Sequence, residues 1–163
     1  MKTDDNLKTA FETKAKQYMK YLACADAAEK EGFVLTSKFF RALAEGEKVQ
    51  ALNHISLLSD VAETEQNIMN AIDNETHNFT QMYPSFVSQA EKDGNARAIL
   101  IFKGALEAEK SHGNVLGDLL DNYKKDREFT YYVCTLCGNV AERYAPEKCP
   151  ICNSSKDKYK AIE

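Results

Sequence analysis

Two stretches of about sixty residues echo each other along the chain. Ala28-Glu-Lys-Glu-Gly32 returns as Ala90-Glu-Lys-Asp-Gly94, and Phe40-Arg-Ala-Leu43 lies over Phe102-Lys-Gly-Ala105. Ala42-Leu-Ala-Glu-Gly-Glu-Lys-Val-Gln50 returns as Gly104-Ala-Leu-Glu-Ala-Glu-Lys-Ser-His112, and Ala10-Phe-Glu-Thr-Lys14 lies over Ala71-Ile-Asp-Asn-Glu75. From Thr3 to Tyr123 there is one proline, Pro84, and apolar residues recur at three- and four-residue spacing, which predicts long helices. Breaks near Glu31-Gly32, Asp60 to Thr64 and Asp93-Gly94-Asn95 divide the segment into four helices of roughly 25 to 30 residues, each about 40 Å long. Pro84 is expected to kink the third. A duplicated helical hairpin makes a four-helix bundle with a pseudo-twofold axis, in which ligands offered by each half meet in the middle.

After this segment the pattern changes. Of five cysteines, Cys24 stands alone, suited to a small buried apolar role, and the others form Cys134-Thr-Leu-Cys137 and Cys149-Pro-Ile-Cys152. Asp121 to Glu128 reads as a charged linker and Phe129-Thr-Tyr-Tyr-Val133 as a strand leading into the first knuckle. Four thiolates converging on one ion would organise a segment too short to fold around an apolar core alone. The expected domains are therefore 1–124, a helical bundle, and 125–163, a small four-cysteine metal domain. Ligand type alone leaves zinc and iron both open at that site.

The net charge of -4 comes from interleaved acidic and basic residues, which argues against nucleic acid and membrane surfaces as partners. The polar start, Met1-Lys-Thr-Asp-Asp-Asn, and the lack of a span-length apolar run predict a cytoplasmic protein. In that reducing compartment such cysteine pairs clamp metal more often than they form disulfides.

Glu109-Lys-Ser-His112 sets a carboxylate and an imidazole three residues apart on one helix face. Such a pair alone also arises on solvated helix faces. In register with Glu47-Lys-Val-Gln50, and with Glu75 one helix earlier, it matches the dinuclear carboxylate pattern of one Glu from each of two helices and Glu-x-x-His from the others.

Ala10-Phe11, Tyr21, Glu31-Gly32-Phe33, Glu45-Gly-Glu47-Lys, Met82-Tyr-Pro84 and Ala108-Glu109-Lys-Ser-His112 together resemble the rubrerythrin family. Tyr132-Val-Cys-Thr-Leu-Cys-Gly-Asn-Val and Ala145-Pro-Glu-Lys-Cys-Pro-Ile-Cys resemble that family's rubredoxin module, so the likeness covers the whole chain. The resemblance implies a mainly α fold, a ferritin-like four-helix bundle followed by a small rubredoxin-like metal domain with four cysteine ligands. It implies iron at Cys134, Cys137, Cys149 and Cys152, with zinc entering on heterologous expression. Asn153 stands where such modules often carry Gly, and Asn tolerates the left-handed conformation.

In the bundle the resemblance assigns Glu47 and Glu109 to bridging positions, and Glu75 and His112 to the terminal positions of one iron. Positions private to the other iron hold Lys14, Gln50 and Asn78. Tyr21 and Tyr83 match tyrosines close to the iron pair, with ordinary core packing as the alternative. The three substitutions fall on one metal position. Glu47, Glu75 and Glu109 with Lys14 sum to two negative charges when His112 is neutral, which one divalent ion balances and two would overshoot. One divalent metal (Fe, Mn or Zn) on Glu47, Glu75, Glu109 and His112 is expected, with Lys14 replacing the second; the rival is a metal-free site closed by Lys14 and a protonated His112. Nearby Glu12 and Gln17 are poorer candidates to complete a second site, Glu12 lying on another helix face.

Rubrerythrins reduce hydrogen peroxide, with electrons entering through the rubredoxin iron of a partner in a head-to-tail homodimer. The expected function is therefore one-electron transfer through the iron–tetrathiolate centre, with electrons drawn from a donor protein, and weak or absent peroxide reduction at a degenerate bundle site. The alternatives are an active peroxide reductase with a di-metal site and a non-enzymatic, dimeric metal-binding scaffold. Whether the chain is an enzyme turns on that choice.

Overall fold

The computed structural model describes residues 2–58, 60–125 and 130–162. Two compact units divide the chain, Met1–Glu63 and Thr64–Glu163, and each is treated by itself. The first is a helical hairpin of α1 (Thr3–Lys30) and α2 (Val34–Ile55). The second begins with another hairpin: α3 (Thr64–His77), a π-helical turn (Asn78–Met82) and α4 (Tyr83–Lys92) form one arm, and α5 (Ala96–Asn122) the other.

The echo in sequence is an echo in structure. Both hairpins turn on a glycine with positive φ, Gly32 at 84° and Gly94 at 66°. At the first, Phe33 N–H donates to Ala28 O at 2.8 Å and Gly32 N–H to Glu29 O at 3.0 Å. At the second, Asn95 N–H donates to Ala90 O at 2.9 Å and Gly94 N–H to Glu91 O at 3.2 Å. These are Schellman caps, which use the left-handed glycine to satisfy the last helix carbonyls. Each hairpin then carries an aromatic pair at matching positions, Tyr21 with Phe40 at 6.1 Å and Tyr83 with Phe102 at 6.4 Å between ring centres. Small residues, Ala25, Ala28, Ala44 and Ala51 in the first and Ala90 and Ala108 in the second, are buried within the helices.

The expected breaks near residues 31–32, 60–64 and 93–95 fall between these helices. The distortion attributed to Pro84 takes a specific form. Pro84 has no N–H for the preceding turn, and the irregularity lies just before it, where Tyr83 N–H reaches back five residues to Asn78 O. Pro84 itself sits in the first turn of α4, a position it tolerates.

The cysteine-rich segment forms a three-stranded antiparallel sheet, β1 (Tyr131–Cys134), β2 (Val140–Glu142) and β3 (Tyr159–Ile162), in the order β2-β1-β3. Register sets Val133 opposite Val140 and Cys134 opposite Tyr159. A 3-10 turn, Lys156–Lys158, leads into β3. The strand expected from Phe129 is observed from Tyr131; Phe129 and the linker residues Asp126, Arg127 and Glu128 lie outside the described residues. Among the described residues no helix is long and apolar enough to cross a membrane.

Candidate metal centres

The two knuckles are built alike. Gly138 N–H donates to Cys134 O and Asn153 N–H to Cys149 O, both at 2.9 Å, and Cys134 N–H and Cys149 N–H donate to Asn139 O and Ser154 O at 2.9 and 2.8 Å. Each turn needs a left-handed residue, supplied by Gly138 at φ 79° and by Asn153 at φ 58°. The fold thereby brings Cys134, Cys137, Cys149 and Cys152 together, with all four Sγ atoms within 4.8 Å of one another.

Cys134 Sγ lies 3.7 Å from Cys152 Sγ, and Cys137 Sγ lies 3.5 Å from Cys149 Sγ. These separations are far too long for a disulfide. A tetrahedron with metal–sulfur bonds of ~2.3 Å has edges of about 3.8 Å, so the thiols stand almost where a four-coordinate ion would hold them. Cys134 and Cys149 are buried and Cys152 is exposed, which gives the cluster one solvent-facing edge.

Three of the thiols have displaced pKa values. Burial opposes ionisation of Cys134, but the Ser154 hydroxyl, the Leu136 and Cys137 amides and the Cys137 thiol outweigh it and bring the pKa down to about 6. Cys149 is also lowered against its burial, by the Cys152 amide, the Tyr159 hydroxyl and the Ile151 amide. Cys137 goes up, from burial and from the surrounding thiols. Neighbouring thiols cannot all ionise without a cation, which is the chemistry of a metal clamp.

The second cluster lies on α3 and α5. Glu75, Glu109 and His112 place one ligand atom each within 4.8 Å of one another. His112 Nδ1 is 3.9 Å from both Glu75 Oε2 and Glu109 Oε2, and Glu75 Oε2 is buried without a hydrogen-bond partner. A buried, unpartnered carboxylate oxygen facing an imidazole nitrogen fits a cation between them. Asn78, at the start of the π-helical turn, donates from Nδ2 to Glu109 Oε2 at 3.4 Å. The other ring nitrogen of His112, Nε2, lies 2.9 Å from Gly138 O, in the first cysteine knuckle. Since a carbonyl can only accept, Nε2 carries a proton, and the neutral imidazole with that tautomer would present the Nδ1 lone pair toward the two carboxylates.

In the first unit, Lys14 on α1 reaches Glu47 on α2, with Nζ 3.0 Å from Oε2. Both are largely buried, at 27% and 13% exposure. The contact is an ion pair whose angles miss those of a good hydrogen bond, because Glu47 Oε2 has no hydrogen-bond partner. Gln50 is exposed on α2, Glu12 is also exposed, and Gln17 is half-buried. Tyr21 and Tyr83 are half-buried in their aromatic pairs, and Cys24 is half-buried.

The sequence reading missed three polar neighbours of the cysteine cluster. Ser154 Oγ is 3.4 Å from Cys134 Sγ and 3.2 Å from Cys152 Sγ. Tyr159 lies beside Cys134 across the sheet, and its hydroxyl accepts from Asn139 Nδ2 at 2.8 Å. Asn139 and Ser154 each stand two residues after the second cysteine of a knuckle, a symmetry visible in the sequence.

The family model described as Rubrerythrin matches residues 5–120, and that described as Rubrerythrin, rubredoxin-like domain, matches residues 132–160. The chain is 30% identical to Rubrerythrin-2 of Clostridium acetobutylicum, across 98% of this chain and 96% of that protein. It is 29% identical to Rubrerythrin of Nitratidesulfovibrio vulgaris, across 99% and 94%. The solved structure of nigerythrin in a partially reduced state superposes with a TM-score of 0.61 at 25% identity, covering 99% of this chain and 87% of that one. A mainly α chain with paired helical hairpins, a rubredoxin-like sheet and a four-cysteine cluster thus belongs to the rubrerythrin family of iron-binding redox proteins.

Proposed function

We propose that the protein transfers single electrons through an iron held by Cys134, Cys137, Cys149 and Cys152, and that its bundle site is degenerate, holding at most one divalent metal. Peroxide reduction is then weak or absent. The observation that carries this reading is the ion pair of Lys14 with Glu47. A protonated amine cannot ligate, and it supplies beside Glu47 a positive charge of the kind a second metal would bring.

Iron on the four thiolates supplies a one-electron ferric/ferrous couple. The chain's own residues do the rest. Cys152 gives the cluster an exposed edge at which an external one-electron donor can meet it. Gly138, adjacent to Cys137, accepts the Nε2 proton of His112, so a short covalent and hydrogen-bonded path runs from the cluster to the imidazole. That bond favours the neutral tautomer that leaves Nδ1 free to ligate with Glu75 and Glu109; Glu47 enters this proposal as the fourth ligand on the family resemblance alone.

Reducing peroxide to two waters takes two electrons and two protons, and a lone divalent ion in the bundle offers one electron at a time. The charge in this proposal closes with one divalent ion against Glu47, Glu75, Glu109 and Lys14. We also take the protein to be a homodimer without nucleic-acid or membrane partners, and cytoplasmic.

The test is metal per chain after anaerobic loading with iron, read beside the visible absorption of the ferric thiolate centre and peroxide consumption. One iron in the thiolate centre with at most one further metal, and negligible turnover, is expected. Close to three metals per chain with rapid turnover would overturn the proposal and restore the di-metal peroxidase.

A further inference from the structure

The two hairpins repeat with a slip of one residue. Glu75 lies 61 positions after its counterpart Lys14, whereas Tyr83 lies 62 after Tyr21 and Phe102 lies 62 after Phe40. The extra residue of the second hairpin therefore falls between Glu75 and Tyr83, where the π-helical turn Asn78–Met82 lies. A π-turn is what one residue added to an α-helix makes, and the matching stretch of α1 is continuous α-helix. At about 100° of rotation per residue, the insertion re-aims Glu75 and Asn78 relative to Tyr83, whose ring stays paired with Phe102 as Tyr21 is with Phe40.

Two consecutive residues of the turn meet α5 where the candidate bundle ligands stand. Asn78 Nδ2 donates to Glu109 Oε2 at 3.4 Å, and Phe79 packs over Gly113, where an added Cβ would be 3.6 Å from Phe79 Cε1. Glu109 and Gly113 are four apart on one face of α5, and Gly113 directly follows His112. In the first hairpin Gln17 stands three residues after Lys14, as Asn78 stands after Glu75, and Glu47 is the counterpart of Glu109. There Gln17 Oε1 and Glu47 Oε2 are both buried without a hydrogen-bond partner. An amide and a carboxylate thus occupy matched places in both hairpins, and among the described residues they are bonded to each other only where the extra residue is present.

We propose that Asn78 is a positioning residue for the bundle metal: the π-turn holds its amide against Glu109, fixing the carboxylate in the orientation that presents it, with Glu75 and His112, to one divalent ion. The inference rests on the reading of that cluster as a site for a single metal. Glu109 Oε2 is also the oxygen 3.9 Å from His112 Nδ1. A carboxylate oxygen can give one lone pair to an amide N–H and the other to a cation, so the bond restrains Glu109 without competing for the ion. The amide is neutral and leaves the charge of Glu47, Glu75, Glu109 and Lys14 unchanged, whereas a carboxylate at position 78 would call for a second cation. At 3.4 Å the contact is long for an amide donor, which puts its effect at the low end of what such an outer hydrogen bond contributes to metal affinity, about tenfold.

The experiment titrates the full-length protein, carrying zinc in the cysteine cluster alone, with manganese, for the parent and for Asn78→Leu, which keeps the bulk and loses the donor. Calorimetry should give the variant a manganese dissociation constant about tenfold above the parent's. The electron paramagnetic resonance of the bound manganese should broaden as well, because an untethered Glu109 samples more than one orientation. Equal affinity in the two proteins, or tighter binding in the variant, would overturn the proposal. Weaker binding with the parent's spectrum and a lower unfolding temperature would make Asn78 a residue of the fold alone and overturn it too. Should Asn78→Leu fail to fold, Asn78→Ala decides by the same criteria. A parent that binds no manganese in the bundle would overturn this proposal and leave the limit of one bundle metal standing. Two bundle manganese ions in the parent would overturn that limit instead, and the variant's affinity would still decide the role of Asn78.

Discussion

His112 holds its two ring nitrogens against two different centres, Nε2 at 2.9 Å from Gly138 O and Nδ1 at 3.9 Å from the carboxylates of Glu75 and Glu109. One side chain therefore serves as a candidate bundle ligand and as the contact with the cysteine knuckle. His112→Gln keeps a donor near Gly138 but removes the imidazole lone pair. It should lower bundle metal affinity at least tenfold while the ferric thiolate absorption stays intact. Isothermal titration with manganese of protein carrying zinc in the cysteine cluster alone checks the first, and visible spectroscopy of the iron-loaded form the second. Equal manganese affinity in parent and variant would remove His112 from the ligand set.

The bundle site's missing half gives the next expectation. Lys14→Glu, Gln50→His and Asn78→Glu together restore ligand chemistry at the three departed positions. Elemental analysis of that triple variant should find two bundle metals where the parent holds at most one, with peroxide consumption rising in step. A variant that still binds one bundle metal would show that the assignment of Lys14, Gln50 and Asn78 to a lost metal position is wrong.

How much of this was legible in sequence depends on what kind of signal each feature leaves. The hairpins were legible because helix periodicity, two Glu-Lys-acid-Gly turns and a repeat all agree, and Gly32 and Gly94 close them with the same cap. The cysteine cluster was legible because Cys-x-x-Cys spacing maps directly onto a knuckle. Asn153 could be foreseen in the left-handed conformation because the preceding cysteine pair demands it. The π-helical turn was not foreseen: Pro84 announces a distortion, but whether the helix bends or takes an extra residue depends on packing around Asn78 to Met82. The Gly138 contact was invisible for a different reason. It is made by a backbone carbonyl, which every residue possesses, and it joins positions far apart in sequence.

The paired caps make a quantitative prediction about stability. Gly32→Ala and Gly94→Ala add a methyl group that meets nothing within 4 Å, so their cost is conformational alone. Each should destabilise by about 1–2 kcal/mol, the left-handed penalty for an L-residue with a side chain. Asn153→Ala should cost less than either glycine change, because the parent residue already bears part of the penalty, and Asn153→Gly should be neutral or stabilising. Urea unfolding at fixed metal load measures all four, and a Gly94→Ala variant as stable as the parent would contradict the positive φ at that turn.

Replacing iron by zinc in the cysteine cluster separates structure from electron transfer. Zinc takes the same tetrahedral thiolate geometry but has no accessible second oxidation state. The zinc form should keep the three-stranded sheet, and with it the Gly138 carbonyl that orients His112, so manganese binding in the bundle should match that of the iron form. Electron transfer from an external reductant should be abolished. Removing the metal altogether should act differently: four thiols cannot ionise together in a partly buried cluster, and Cys137 is already driven toward its neutral form. The metal-free segment should then lose hydrogen-exchange protection in β1 to β3 while α1 and α2 retain theirs, since their hairpin is a separate compact unit. With the knuckle unfolded, His112 loses the acceptor that fixes its tautomer, and bundle metal affinity should fall. Equal manganese affinity in the zinc-loaded and metal-free proteins would show that the two centres fold and bind independently despite the bond between them.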